Sequence, residues 1–175
     1  MAERPQGFEY KHVECPQIPV LVDLVTNDHA KFYWELTGTQ TVVATESHLE
    51  SGDYNPDNLY SVTTTERFVA IDFKRSTDIQ DLDKIKQVER RYFETCASLN
   101  NLGASPLDNY ASAPPKDVNY LIVIGLAMFF CVVPGILYYK WKDKKHKESV
   151  TKWIEVKTSL DRLLVDNKEI LNIAN

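Results

Sequence analysis

Glycine and cysteine are scarce, six and three in 175 residues. No glycine-rich phosphate loop and no Gly-x-Ser-x-Gly nucleophile turn occurs, which removes the commonest nucleotide-binding and serine-hydrolase signatures. Cys15, Cys96 and Cys131 form no Cys-x-x-Cys and no paired spacing, so the usual zinc frameworks are missing. Cys15 and Cys96 leave open either one disulfide or two ordinary buried thiols. His12, His29 and His48 add no metal-ligand spacing, and neither metal nor cofactor is expected. Net positive charge is lacking as well. A formal charge of −5 and a pI near 5.4 argue against nucleic acid as a partner. The opening Met1-Ala2-Glu3-Arg4-Pro5 has no basic-then-apolar secretory run, so any membrane targeting is expected from an internal segment.

The charge is unevenly spread. Residues 1–118 hold 11 Lys/Arg against 19 Asp/Glu, whereas residues 140–175 hold 9 against 6. Between them, 118–139 is a run of 22 uncharged residues, VNYLIVIGLAMFFCVVPGILYY. As a helix it would reach about 33 Å, enough for a bilayer core of about 30 Å. Tyr120 at one end and Tyr138, Tyr139 and Trp141 at the other fit interfacial aromatic belts. The expectation is one transmembrane helix, kinked at Pro134. A re-entrant hairpin at Val133-Pro134-Gly135 is the competing reading, with a very short return leg. Lys140, Lys142, Lys144, Lys145 and Lys147 follow the run. By the positive-inside rule they place the tail in the cytoplasm and the N-terminal domain across a cell membrane. The same basic collar is expected to hold anionic lipid headgroups.

Before that run, residues 1–99 read as a soluble α+β domain: a small antiparallel sheet with two helices. Phe8 to Glu14 alternates apolar and polar residues, a half-buried strand. Leu21, Leu24, Val25, Phe32, Tyr33 and Leu36 predict a helix from about Val20 to Leu36, capped by Gly38. Thr39–Thr45 is a β-branched strand, 50–57 a Gly/Pro/Asp-rich loop, and Leu59–Arg75 a long strand or strand pair. Leu82, Ile85, Val88, Tyr92, Cys96 and Leu99 predict an amphipathic helix over 79–99, with Ser76-Thr77-Asp78 as its N-cap.

Tyr10 and Lys11 in the opening strand, Trp34-Glu35-Leu36 at the expected helix end and Phe73-Lys74-Arg75 in the closing strand form a pattern over residues 8–76. It resembles a small, largely bacterial β-α-β-β domain family of unknown function. The resemblance implies a β-α-β-β fold and brings no activity. Two departures from the family pattern are visible: Tyr33 stands where a glycine precedes the tryptophan, and the insert between the last two strands is long. From the residues themselves, Trp34 reads as a core anchor and Glu35 as an exposed neighbour.

Other constellations stay bland. Ser47, His48 and Asp72 lack a nucleophile turn, and Asp78, Asp81 and Asp83 suit a helix N-terminus better than calcium. Arg67, Lys74, Arg75, Arg90 and Arg91 read as solvated charges. No enzyme is expected. Residues 100–117 read as a Pro/Ala/Ser-rich linker, and 140–175 as the basic collar with an amphipathic tail. In that tail Trp153, Val156, Leu160, Leu163, Asn167 and Ile170 alternate by three and four, a coiled-coil-like seam with Asn167 at a core position. Self-association, packing on a partner or on the chain itself, and a membrane-surface helix all fit it. The combined expectation is a membrane-anchored, non-catalytic protein-interaction module that self-associates or docks through its C-terminal helix. The alternative is an accessory single-pass subunit of a membrane enzyme or transporter complex.

Overall fold

The computed structural model of the chain describes residues 7–52, 55–119, 122 and 132–173. The described elements are β1 (Phe8–Pro16), α1 (Pro19–Ala30), β2 (Glu35–Gly52), β3 (Asn55–Ser76), α2 (Leu82–Asn101), a 3₁₀ turn (Pro106–Asp108) and α3 (Val132–Asp166). This is an α+β architecture with a three-stranded antiparallel sheet ordered β1-β3-β2. The chain divides into two compact units, Met1–Leu82 with Leu171–Asn175, and Asp83–Ile170.

In the first unit, alternation along β1 decides the faces. Glu9, Lys11, Val13 and Cys15 lie toward the core, whereas Phe8, Tyr10, His12 and Glu14 are exposed. Opposite the inward set sit Arg75, Phe73, Ile71 and Val69 of β3. These four are buried, as are Phe32 and Trp34. Side chains such as Phe73 each contribute on the order of 1.5–3 kcal/mol through lost apolar surface. Pro19 opens α1 at a position where a missing N–H costs nothing. Helix α1 contacts β1 and β2. Its His29 stacks on Phe73 with ring centroids 4.6 Å apart and donates from Nδ1 to the Val25 carbonyl at 2.7 Å.

Helix α1 ends at Ala30 rather than near Leu36. Trp34 N–H bonds back to the His29 carbonyl at 3.3 Å and Tyr33 N–H to the Ala30 carbonyl at 3.1 Å. This is a Schellman closure. Tyr33 carries the positive φ of 63° that the closure requires. Gly38, expected to cap the helix, instead lies inside β2, where the register shifts between Leu36 and Gly38. The loop expected over 50–57 is strand on both flanks, since β2 reaches Gly52 and β3 starts at Asn55. Gly7 closes the far corner. Its carbonyl accepts from Thr77 N–H at 2.9 Å and Thr77 Oγ1 at 3.0 Å, and an added Cβ would stand 2.6 Å from that Oγ1. Asn172, beyond α3, donates from its backbone to the Lys31 carbonyl at 2.9 Å and from its side chain to the Ala30 carbonyl at 3.3 Å. It satisfies carbonyls at the end of α1 that no longer have partners within the helix.

In the second unit, α2 buries Ile85, Val88, Tyr92, Cys96 and Leu99, the stripe expected from their spacing. It begins three residues later than expected. Ser76 Oγ accepts from Asp78 N–H in a turn before Asp81, whose φ is 59°. Ala104, Tyr110 and Pro114 are buried, so the 100–117 stretch packs as well as connects.

The membrane expectation is corrected. Among the described residues no helix is long and apolar enough to cross a membrane. The described part of α3 before Lys140 is Val132 to Tyr139, and eight residues of helix cover about 12 Å against a core of about 30 Å. Residues 120, 121 and 123–131, Tyr120 among them, lie outside the described residues. The single transmembrane helix, the cell-membrane localisation and the cytoplasmic tail assignment therefore fall away.

Candidate functional site

Strand length is the feature that sets the site. β1 has nine residues, while β2 has 18 and β3 has 22. β1 pairs with Phe68–Ser76 only, but β2 stays paired with β3 out to Asn55. Beyond Phe68 the sheet is therefore a two-stranded ribbon, Val43–Gly52 against Asn55–Arg67. The 13 ribbon residues of β3 span about 43 Å. On the side that β1 vacates, no third strand pairs with this stretch among the described residues. Pro16 ends β1, and Gln17 N–H makes one last bond to the Arg67 carbonyl at 3.1 Å. Thr63, Thr64, Thr65, Glu66 and Arg67 are all exposed.

The three-stranded part has its own solvent face, with Phe8 and Tyr10 at the end farthest from the ribbon, opposite Ser76 and Lys74. Tyr10 is 76% exposed and Phe8 46%. His12 Nδ1 lies 2.7 Å from Asp72 Oδ1, and its Nε2 lies 3.6 Å from Glu14 Oε1. The Asp72 bond, with a smaller part from Glu14, holds the His12 imidazole above its ordinary pKa. Lys74 lies 3.5 Å from Glu35 and 5.6 Å from the Phe8 ring centroid. No serine or cysteine of the described set shares a hydrogen bond with the His12–Asp72 pair. Among the described residues no group of three His, Cys, Asp or Glu could hold a metal ion.

The opposite face locks the residues of the β-α-β-β pattern together. Arg75, 3% exposed, donates from Nη2 to Glu9 Oε2 at 2.8 Å and from Nη1 to the Phe32 carbonyl at 3.2 Å. Its guanidinium sits 4.1 Å from the Trp34 ring centroid, with Lys11 Nζ at 5.5 Å from the same ring. A flat, weakly hydrated guanidinium tolerates such stacking far better than an ammonium would.

The residues expected at a membrane interface or a helical seam lie in the second unit. Lys116 donates to Asp143 at 2.6 Å and to the Tyr139 hydroxyl at 3.2 Å, while Lys142 reaches Asp117 at 3.0 Å. The bond from Lys116, then that from Lys147, holds the Asp143 carboxyl down at about 2. Lys145 stands 4.1 Å over Trp141, and Tyr138 meets Trp141 at 6.3 Å between centroids. Lys144 is exposed. On the seam, Leu160 is buried, while Trp153, Val156, Leu163, Asn167 and Ile170 are half-buried. Asn167 and Ile170 lie past Asp166, the last residue of α3, and Asn167 Nδ2 donates to the Leu163 carbonyl at 2.8 Å. Cys15 and Cys96 are both buried.

None of the expected site residues lies on the ribbon edge. Its signal was present as the long insert between the last two strands and the β-branched run Val62 to Thr65. Comparison with known proteins finds no matching family model, no similar curated protein and no similar solved structure.

Proposed function

We propose that this chain is a non-catalytic protein-interaction module whose β2–β3 ribbon offers an open strand edge for pairing. The observation that carries this reading is the stretch of β3 from Asn55 to Arg67, which has β2 on one side and, among the described residues, no strand on the other. An edge strand presents a row of free N–H and C=O groups, and a strand added there recovers them as a ladder. A two-stranded ribbon is marginal alone in water, so pairing also steadies the ribbon itself. The α3 seam supports docking less well, because Leu160 is buried and Trp153, Val156 and Leu163 are half-buried.

The test is to trim the ribbon. Residues 46–64 are replaced by Asn-Gly, so that Thr45 and Thr65, already paired, are joined by a two-residue turn. The trimmed chain is expected to keep the circular dichroism of the parent and to lose its higher-mass complexes on native sizing of extracts from its source cells. Unchanged complexes in a folded, trimmed chain would remove the ribbon from the function.

A further inference from the structure

Apart from the ribbon, we infer that a cleft in the second unit, between α3 and the 102–117 stretch, binds the phosphate group of a small phosphomonoester. The cleft holds about 230 Å³. That is below the ~300–1,000 Å³ of a pocket that encloses a drug-sized ligand, so it suits a headgroup rather than a whole nucleotide. One wall is apolar, made by Leu102, Pro114 and Pro115. Pro114 is buried beside the turn at Gly103, where an added Cβ would stand 3.9 Å from the proline ring. The facing wall is one side of α3: Lys142, Lys145, His146 and Ser149. Their spacing of three, one and three residues puts all four on a single helical face about 10 Å long. Salt bridges from Lys116 to Asp143 at 2.6 Å and from Lys142 to Asp117 at 3.0 Å tie the two walls together.

The helical wall carries donors that the fold does not use. Among the described residues the Lys145 ammonium meets only the Trp141 ring, 4.1 Å from its centroid, and neither the His146 ring nor the Ser149 hydroxyl has a hydrogen-bond partner. His146 and Ser149 are half-buried, where an unpaired polar group is costly. Lys142 is shared with Asp117, whose carboxylate is exposed and is satisfied by water when the lysine turns to a ligand. These donors are separate points along a turn, and no arginine lies on α3 before Arg162. A planar guanidinium fork suits a flat carboxylate. Point donors suit the tetrahedral oxygens of a phosphate, which carries close to two charges at neutral pH. The apolar wall excludes water from part of the cleft and strengthens the pull of both lysines.

Isothermal titration of the full chain with inorganic phosphate tests this, with the His146 ring signals followed by NMR. Saturable binding that moves those signals is expected. Lys145→Gln is expected to weaken it by roughly ten-fold and Ser149→Ala by about three-fold, the scale of one charged and one neutral hydrogen bond. Lys144→Gln, exposed on the opposite side of α3, should leave it within about two-fold. Asp117→Asn should tighten binding by about three-fold because it releases Lys142, a gain that a merely structural pair would not give. Glycerol 3-phosphate and vesicles carrying phosphatidic acid separate the two sources of such a group. A soluble ester bound at least as tightly as phosphate supports the assignment, and binding to the vesicles alone overturns it. Absence of saturable binding by a chain with unchanged circular dichroism overturns the site itself. So does an equal loss from Lys144→Gln and Lys145→Gln, which would reduce the cleft to diffuse attraction by a lysine-rich helix.

Discussion

The two halves of β3 belong to one strand and face different physics. From Phe68 to Ser76 it lies between β1 and β2, and Val69, Ile71, Phe73 and Arg75 are buried. From Asn55 to Arg67 its one paired strand among the described residues is β2, and its last five residues are exposed. The change comes where Pro16 ends β1. Composition follows: Phe-Val-Ala-Ile-Asp-Phe inside, Ser-Val-Thr-Thr-Thr-Glu outside. β-branched residues suit both settings, because they fit an extended backbone whether or not anything packs on it. What separates the halves is the third strand, a long-range feature that residues 55–76 cannot encode among themselves.

The sharpest way to break this contrast is to compare truncations on the two halves. Phe73→Ala is expected to cost about 3–5 kcal/mol by urea denaturation, and Thr64→Ala no more than about 0.5. Equal costs would mean that the ribbon is as firmly packed as the core. Next in size, Arg75→Lys is expected to cost about 1–3 kcal/mol, because an ammonium cannot serve Glu9, the Phe32 carbonyl and the Trp34 face together. A neutral result in the same assay would reduce the cluster to ordinary packing.

A gain is expected at the other boundary of the inner half. Tyr33 holds a left-handed conformation that costs a residue with Cβ about 1–2 kcal/mol, and glycine's greater freedom in the unfolded chain returns part of that. Tyr33→Gly should therefore stabilise by about 1 kcal/mol, read as a higher urea midpoint at constant slope. A loss would show that the phenol ring contributes more than the backbone strain removes.

The smallest effect belongs to the exposed face. His12 titrates above its ordinary pKa of about 6.5 because of Asp72 first and Glu14 second. A raised folded-state pKa gives a stabilising contribution that is full below about pH 6.5 and is lost as pH climbs through the folded value. Asp72→Asn should lower the imidazole midpoint in an NMR titration and flatten that dependence. An unmoved midpoint would show that the 2.7 Å contact is not kept in solution.

Legibility in the sequence followed the range of the signal. The alternation of Phe8–Glu14 and the apolar spacing of Leu82–Leu99 are local, and β1 and α2 appear where those patterns stand. The end of α1 was hidden, since a left-handed Tyr33 carries no glycine to announce the stop, and apolar Phe32, Tyr33 and Leu36 continue the helical spacing past it. The apolar run 118–139 suggested a crossing, but its described helical part meets Lys140 after eight residues. The Arg75–Trp34–Glu9 cluster was foreshadowed only as a pattern of residue types. Its stacking geometry comes from pairing Glu9 with Arg75 across 66 positions of chain. The ribbon edge was the least visible of all, because an unpaired edge is defined by where another strand stops.

The return of Asn172 to the end of α1 also fixes an order of events. Leu171 and Asn172 belong to the unit that starts at the other end of the sequence, so Asp83–Ile170 sits inside it as an insertion. On a ribosome the sheet and α1 emerge early, yet the bonds to Ala30 and Lys31 wait until the whole insertion has been threaded through. Closing so long a loop adds little to equilibrium cost, which grows only logarithmically with length, but it places the final latch late in assembly.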